Sequence, residues 1–454
     1  MLIRFSVENF LSFKDRVIFS MYPSKGTLKK NHLNKSLKKI STLKFTSVFG
    51  ANASGKSNLI KAIHFGQKVV LQDQLKNLLN ELPKFKLDKS CLDKNVRFEY
   101  EIQTKKSNFA FGFVLNENIV VEEWLYCIDN KEEKLIFEKK LDRFIFSEDF
   151  LDKFDDSKYL NIISNSTPSD NLFLSYINKI NLDENNKIHF SDFLDVFDWF
   201  KNALNIIYPN SKSTGFLFEL TKSVDFRTLF ITFLEYFDTG ICGIDFKKVN
   251  FESLEIPEHL KNKILGDLND KSSEKQAGMI SDPNNNSIIF LEKGDDKKIV
   301  SSKLITQRKD ISGSNTSFDI ATEESDGTKR LFDLIPLFID VIDGGNVIII
   351  DEMERSLHPN LIYNFIELYI HVTSSKEKQV SSQLIMATHE SSLLTQKLLR
   401  KDEIWFVSKS NTGSSSIHSL QEYNVRFDKE LRNNYLKGRF NGVPNLGEIE
   451  DLNF

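Results

Sequence analysis

The residues best suited to chemistry stand in two short clusters. Gly50-Ala51-Asn52-Ala53-Ser54-Gly55-Lys56-Ser57 fits the pattern G-x-x-x-x-G-K-S, in which backbone N–H groups converge on a phosphate polyanion and glycines at both ends let the backbone come close. Lys56 adds a point charge at the outer phosphates, Ser57 offers a hydroxyl to Mg²⁺, and Asn52, Ser54 and Asn58 complete the candidate contacts. The second cluster is the apolar run Val347 to Ile350, which ends in Asp351-Glu352. Asp351 suits a Mg²⁺ role through water, and Glu352 beside it suits a general base that polarises an attacking water. Ligands of this chemistry are ATP and Mg²⁺, and the reaction is hydrolysis of ATP to ADP and phosphate.

Both clusters need particular elements to hold them. Leu43 to Phe49 reads as a short strand, and Asn58 to Ile63 carries apolar residues at helical spacing, giving the order strand, loop, helix. A glycine-rich surface turn is the alternative reading, and this context argues against it. Four consecutive β-branched residues before Asp351 read as a fully buried parallel strand, which argues against a solvated loop start.

Three further segments narrow the class: Glu324-Ser325-Asp326-Gly327-Thr328 before an apolar helix, Met353 to Pro359 after the acidic pair, and Leu384 to Thr388 running into His389. In that order they resemble the signature, D-loop and switch-histidine elements of ABC-type ATPases of the RecF, SMC and OLD-like branch. Met1-Leu2-Ile3-Arg4-Phe5, Asn9-Phe10-Leu11-Ser12-Phe13 and the tail from Asp402 to Pro444 are similar to the RloA-like and abortive-infection ATPases of prokaryotic antiphage defence. The resemblance implies a mixed α/β fold of the ABC type; strand patches and helical periodicity add an antiparallel β subdomain and a mostly helical insertion, and the lack of any long heptad array argues against a long coiled coil. It implies a catalytic role for His389. It also implies that Ser325 and Gly327 contact the γ-phosphate held by a second subunit, so that a homodimer or larger homo-oligomer closes head to tail over ATP. Ser325 is equally suited to cap the helix after it. His389 alone reads as a structural histidine, and His358 as positional. The signature departs from the transporter form in reading Ser-Asp-Gly. No Q-loop glutamine can be placed, since Phe85 to Asp88 contains none.

The 454 residues suffice for two or three compact units, with 40% hydrophobic residues and a net charge of −4 from 60 basic and 64 acidic side chains. That balance excludes a surface given over wholly to nucleic acid, although it allows a basic patch. Three scattered cysteines show no metal spacing and fit a reduced, cytoplasmic compartment. No apolar run reaches the ~18 residues of a membrane span.

Organisation follows from periodicity and composition. Residues 1–145 read as a first ATPase lobe with an antiparallel sheet, 146–285 as a mostly helical insertion, and 286–454 as a second lobe with a C-terminal hairpin around Asn411-Thr412-Gly413. The 65 positions after His389 are expected to be too few for a Toprim nuclease domain. The leading expectation is therefore an ATP-driven switch controlling a separate Toprim or RloB-like nuclease in antiphage defence. A RecF-like DNA-repair ATPase is the second reading, with Lys25, Lys29, Lys30, Lys35, Lys38, Lys39 and Lys44 gripping DNA phosphates, where a solvated surface is the plainer explanation. A slow-turnover scaffold that holds a partner inactive is the third.

Overall fold

Runs of β-branched and aromatic residues build a six-stranded sheet. The computed structural model describes residues 1–26, 28–34, 40–129, 132–154, 157–211, 217–251, 256–259, 261–262, 266, 277–281, 288–293, 299–374, 381–423 and 431–444. The sheet contains Phe45–Gly50 (β1), Leu204–Ile207 (β2), Val347–Ile350 (β3), Gln383–Thr388 (β4), Ile404–Lys409 (β5) and Ser415–Ser419 (β6), in the spatial order β2-β3-β4-β1-β5-β6. The first five strands are parallel, and β6 returns antiparallel to β5 as the C-terminal hairpin. Every residue of β1, β3 and β4 is buried, as a parallel strand covered on both faces requires. Strand β2 comes from within the span expected to be a helical insertion. Its four residues pair with β3 instead, from Leu204 against Val347 to Ile207 against Ile350.

Parallel register brings the carboxyl ends of these strands to one edge, the usual place for a ligand in such sheets. Gly50, Tyr208, Asp351 and His389 each stand at or just beyond a strand end there. The helix Lys56–Leu71 (α1) follows β1 and buries Leu59, Ile60, Ala62, Ile63, Val69 and Val70. From the same helix, Gln67 Nε2 donates to the carbonyls of Phe200 at 2.7 Å and Leu204 at 2.8 Å, fixing the entry to β2.

Beside this sheet lies a seven-stranded antiparallel one, in the order Arg143–Phe146, Glu132–Lys140, Val120–Asp129, Asn108–Leu115, Val96–Gln103, Leu2–Glu8, Val17–Ser20. Phe5, Phe98, Phe111 and Phe113 of its strands join the main core. The short helix Phe173–Ile177 is tied to it by Glu123, a fully buried carboxylate that accepts the N–H groups of Phe173 at 2.6 Å and Leu174 at 2.9 Å. Burial pushes Glu123 up to about 7.

The chain divides into two compact units, one of residues 1–209, 341–354 and 362–454, the other of residues 210–340 and 355–361. The second unit carries a five-stranded sheet, with Gly243–Val249, Ile299–Lys309, Ile288–Lys293 and Ala277–Ser281 in order and Asn315–Asp319 paired to Ile299–Lys309. Its helix Val224–Tyr236 packs Phe230 and Phe233 on Phe332 and Phe338, each pair at 5.0 Å. Those two partners belong to the helix Asp326–Asp343 (α2), which contains Pro336. Among the described residues, no helix is long and apolar enough to cross a membrane.

Candidate nucleotide site

The loop from Gly50 to Gly55 is shaped by close approach. A Cβ on Gly50 would stand 2.5 Å from the Val407 carbonyl oxygen, so no other residue fits against β5 there. Gly55 has φ +117 and borders Ser415 and Ser12, whose hydroxyls would lie 2.4 and 2.9 Å from an added Cβ. The same two serines brace the loop. Ser415 Oγ donates to the Ser54 carbonyl at 2.6 Å, Ser415 N donates to the Ser12 carbonyl at 2.7 Å, and Asn58 Nδ2 donates to Ser12 Oγ at 2.8 Å. Ser12 owes its place to its neighbours: Phe10 and Phe13 are buried, and Asn9 Nδ2 bonds the Cys91 carbonyl at 2.8 Å.

Helix α1 starts at Lys56 with Gly55 as its cap and no side chain capping it. Its first N–H groups and positive dipole end therefore face the loop. Asn52 is exposed at the loop tip, whereas Ser54 is buried and its hydroxyl has no partner. Lys56 is 5% exposed, and its ammonium donates to the carbonyls of Gly50 at 2.8 Å and Ala51 at 3.0 Å and approaches His389 Nδ1 at 3.3 Å. Burial lowers the Lys56 pKa to about 8, against the pull of Glu354, Asp351 and Glu352. Burial, followed by the Lys56 charge, keeps His389 below the usual imidazole range, so a neutral ring accepts from Lys56.

Ser57 Oγ donates to Asp351 Oδ1 at 3.1 Å. Asp351 is 3% exposed, and burial raises its carboxyl above the usual range despite that bond. A hydroxyl and a carboxylate meeting at a strand end form an all-oxygen donor pair, the kind a hard cation such as Mg²⁺ takes. Glu352, next in the chain, has φ +49, a conformation in which a non-glycine residue stores strain of about 1–3 kcal/mol. Strain of this kind marks the turn after β3 as one that the surrounding structure dictates.

Gly50, Ser54, Gly55, Lys56, Ser57, Asn58, Asp351, Glu352 and His389 all belong to the first unit. Ser325 and Gly327 belong to the second. There Ser325 Oγ accepts the Thr328 N–H at 3.2 Å as a helix cap, and a Cβ on Gly327 would stand 2.8 Å from the Ser356 carbonyl. Glu324 anchors the turn to the second unit's sheet by accepting from Thr306 Oγ1 at 2.6 Å and pairing with Arg308. His358 Nδ1 accepts the Asn360 N–H at 3.2 Å at the start of the helix Pro359–Thr373 (α3), a positional role.

Residues 45–395 match the family described as "AAA domain, putative AbiEii toxin, Type IV TA system". The chain belongs to that family. None of the curated proteins matches it. Among solved structures, this AAA-domain chain is similar to the SMC head domain from Thermotoga maritima, with 13% identity, a TM-score of 0.38, and coverage of 92% of this chain and 98% of that one. It is similar to an SmcHead bound to the C-winged helix domain of ScpA, with 16% identity, a TM-score of 0.37, and coverage of 93% and 99%. A third is an Smc head with an extended coiled coil, bound to the C-terminal domain of ScpA derived from Pyrococcus furiosus, at 15% identity, a TM-score of 0.33, and coverage of 93% and 97%. Family membership rests on the sequence match.

Several site residues carried no assignment in the sequence. Tyr208 stands alongside Asp351, because the Asp351 N–H donates to the Ile207 carbonyl at 2.9 Å. Its hydroxyl pairs with His64 Nδ1 of α1 at 2.9 Å. Burial, with Asp351 nearby, pushes the phenol up to about 12, and burial lowers His64 to about 4. Nothing in a lone Tyr-Pro dipeptide signals that position; only the pairing of β2 with β3 does. Glu354 accepts the His389 N–H at 2.5 Å. Its spacing from Asp351 was visible, although its direction was not.

The basic run before the loop is corrected at one position. Lys44 is 5% exposed, and its ammonium donates to the Thr373 carbonyl at 2.7 Å and Ser374 Oγ at 3.0 Å, closing the end of α3. A buried ammonium with those partners does not grip DNA. Lys25 and Lys30 are exposed, Lys29 is half-buried with its ammonium on the Lys397 carbonyl, and Lys35, Lys38 and Lys39 lie outside the described residues.

Proposed function

We propose that this chain binds and hydrolyses ATP and uses the cycle as a molecular switch. The observation that carries the reading is the convergence of Lys56, held between the Gly50 and Ala51 carbonyls and His389, with the Ser57–Asp351 pair at the same sheet edge. Loop N–H groups and Lys56 bind the phosphates, Ser57 and Asp351 hold Mg²⁺, and Glu352 polarises the attacking water. Bound Mg²⁺ would offset charge on the phosphate oxygens. Ser325 and Gly327 of one copy complete the site of another, so that ATP binding closes a head-to-tail dimer. The dimer in turn controls a separate effector, a Toprim or RloB-like nuclease, in antiphage defence. The toxin–antitoxin wording of the family description supports a defence setting.

Phosphate release and molecular mass, measured together, test this. Lys56→Ala should bind no ATP, and Glu352→Gln should bind ATP, turn it over ~10²- to 10⁴-fold more slowly, and accumulate at twice the monomer mass. Ser325→Arg should stay monomeric with ATP. ATP binding without any phosphate release in the parent chain would point to a locked scaffold, and a monomer throughout would remove the composite site.

A further inference from the structure

Asp351-Glu352-Met353-Glu354 carries three carboxylates, and the proposed chemistry uses two. Glu354 reaches the same corner by another route. Its Oε1 accepts the His389 N–H at 2.5 Å, and its Oε2 is buried with no hydrogen-bond partner. Of the acidic groups that act on the Lys56 ammonium, Glu354 has the largest effect, ahead of Asp351 and Glu352. Met353 pins the turn between the two glutamates: it is fully buried and its N–H reaches the Ala387 carbonyl at 3.4 Å.

Buried polar atoms are nearly always paired. An acceptor left unpaired on the carboxylate that holds the His389 backbone marks a place where a donor arrives with the ligand. Each phosphate oxygen of ATP is an acceptor, so none of them can serve; a water that accompanies the terminal phosphate can. Glu354 cannot be explained as a tether alone, because the tether uses only one of its two oxygens.

We propose that Glu354 is the second carboxylate of the hydrolytic centre, holding the attacking water jointly with Glu352 while fixing the His389 backbone. This inference rests on the ATPase reading above. In the step, the water oxygen forms the bond to Pγ, and the bond from Pγ to the bridging oxygen breaks with its electron pair leaving on ADP. The proton lost by the water passes to Glu352 and from there to phosphate or solvent. Glu354 orients the water through its Oε2 and takes no proton.

Glu354→Gln is the decisive substitution, since the amide oxygen can still accept the His389 N–H while the charge and one acceptor are lost. Three quantities are read on the full chain: turnover, melting temperature, and the ratio of affinities for a slowly hydrolysed ATP analogue and for ADP. Turnover should fall ~10- to 100-fold at an unchanged melting temperature. Removing a negative charge that faces the terminal phosphate should raise the triphosphate-to-diphosphate affinity ratio roughly 3- to 30-fold. The double variant Glu352→Gln/Glu354→Gln should be little slower than Glu352→Gln, because both groups act on one water. Glu354→Ala, which cuts the tether, separates structure from chemistry by lowering the melting temperature as well.

Turnover at the parental rate in Glu354→Gln overturns the inference, as does an unchanged affinity ratio. Were the chain to bind nucleotide without hydrolysing it alone, the ratio would still decide. A parent chain that binds no nucleotide sinks the ATPase reading itself, a result distinct from a parent that works and a variant that equals it.

Discussion

Ser57 Oγ donates to Asp351 Oδ1 at 3.1 Å, joining the first turn of α1 to the end of β3. The two residues are far apart in sequence, and neither could hold a cation alone. The bond sets their oxygens at the spacing of neighbouring donors before any ligand arrives, which lowers the ordering cost of binding.

Asp351→Asn keeps the shape and the Ser57 bond but removes the charge. Affinity for ATP in the presence of Mg²⁺ should fall ~10- to 100-fold, the scale of losses at groups supporting a metal. Affinity measured in excess chelator should barely change. Titrations of a fluorescent nucleotide with and without Mg²⁺ give both numbers, and an equal loss in the two conditions would contradict the metal role.

Lys56 makes binding depend on pH in a direction that can be worked out. Its pKa is lowered to about 8 by burial, and a bound triphosphate raises it again by supplying opposite charge. Below about pH 7 the lysine is protonated with or without nucleotide, and its contribution is flat. From about pH 8 upward the free protein has given up a proton that the complex retains, so affinity should fall, by at most tenfold per pH unit for one proton. Calorimetry near pH 8.5 in two buffers of different ionisation enthalpy should register proton uptake. Proton release, or equal affinity at pH 7 and 9.5, would show that Lys56 is not the linked group.

The glycine-lysine-serine loop was legible because its chemistry depends on backbone freedom, which glycine spacing reports directly. Asp351 was legible because four β-branched residues before it can only be a buried strand. Strand β2 was not: Leu204 to Ile207 follows a helical stripe through Phe193, Val196 and Phe200. Four residues, three of them apolar, cannot be told from one more helical turn by periodicity. Missing β2 hid Tyr208, and with it the His64 pair. Ser12 and Ser415 escaped for another reason, since bracing a loop from a distant turn and a distant strand leaves no local pattern. Lys44 misled because a charge in a basic run is most often solvated, and only the tertiary placement of Thr373 turns it inward.

Gly55 offers a way to separate steric from conformational demand. Gly55→Ala should lower stability by about 1–3 kcal/mol and weaken nucleotide binding, because φ +117 is unfavourable for any side chain and the new methyl meets Ser415 Oγ. Adding Ser415→Gly removes the closer of the two collisions but leaves the Ser12 hydroxyl at 2.9 Å and the backbone strain, and it gives up the Ser415 bond to the Ser54 carbonyl, so only part of the stability should return. Denaturant midpoints of the two variants measure the split. Full recovery would mean that the collision alone mattered.

Lys44 tests whether the basic run touches DNA. Lys44→Met removes a buried ammonium from the Thr373 carbonyl and Ser374 hydroxyl, leaving the end of α3 without its donor. Hydrogen bonds to charged groups are worth ~1.5–3 kcal/mol, so the urea midpoint should fall by that equivalent with an unchanged slope. Any affinity for duplex DNA should be the same in the folded variant as in the parent, together with its salt dependence. Removing a lysine that pairs with a DNA phosphate would instead flatten the slope of log affinity against log salt by about one. That result would require Lys44 to leave the end of α3 when DNA binds, at a cost in stability that the same urea titration would expose.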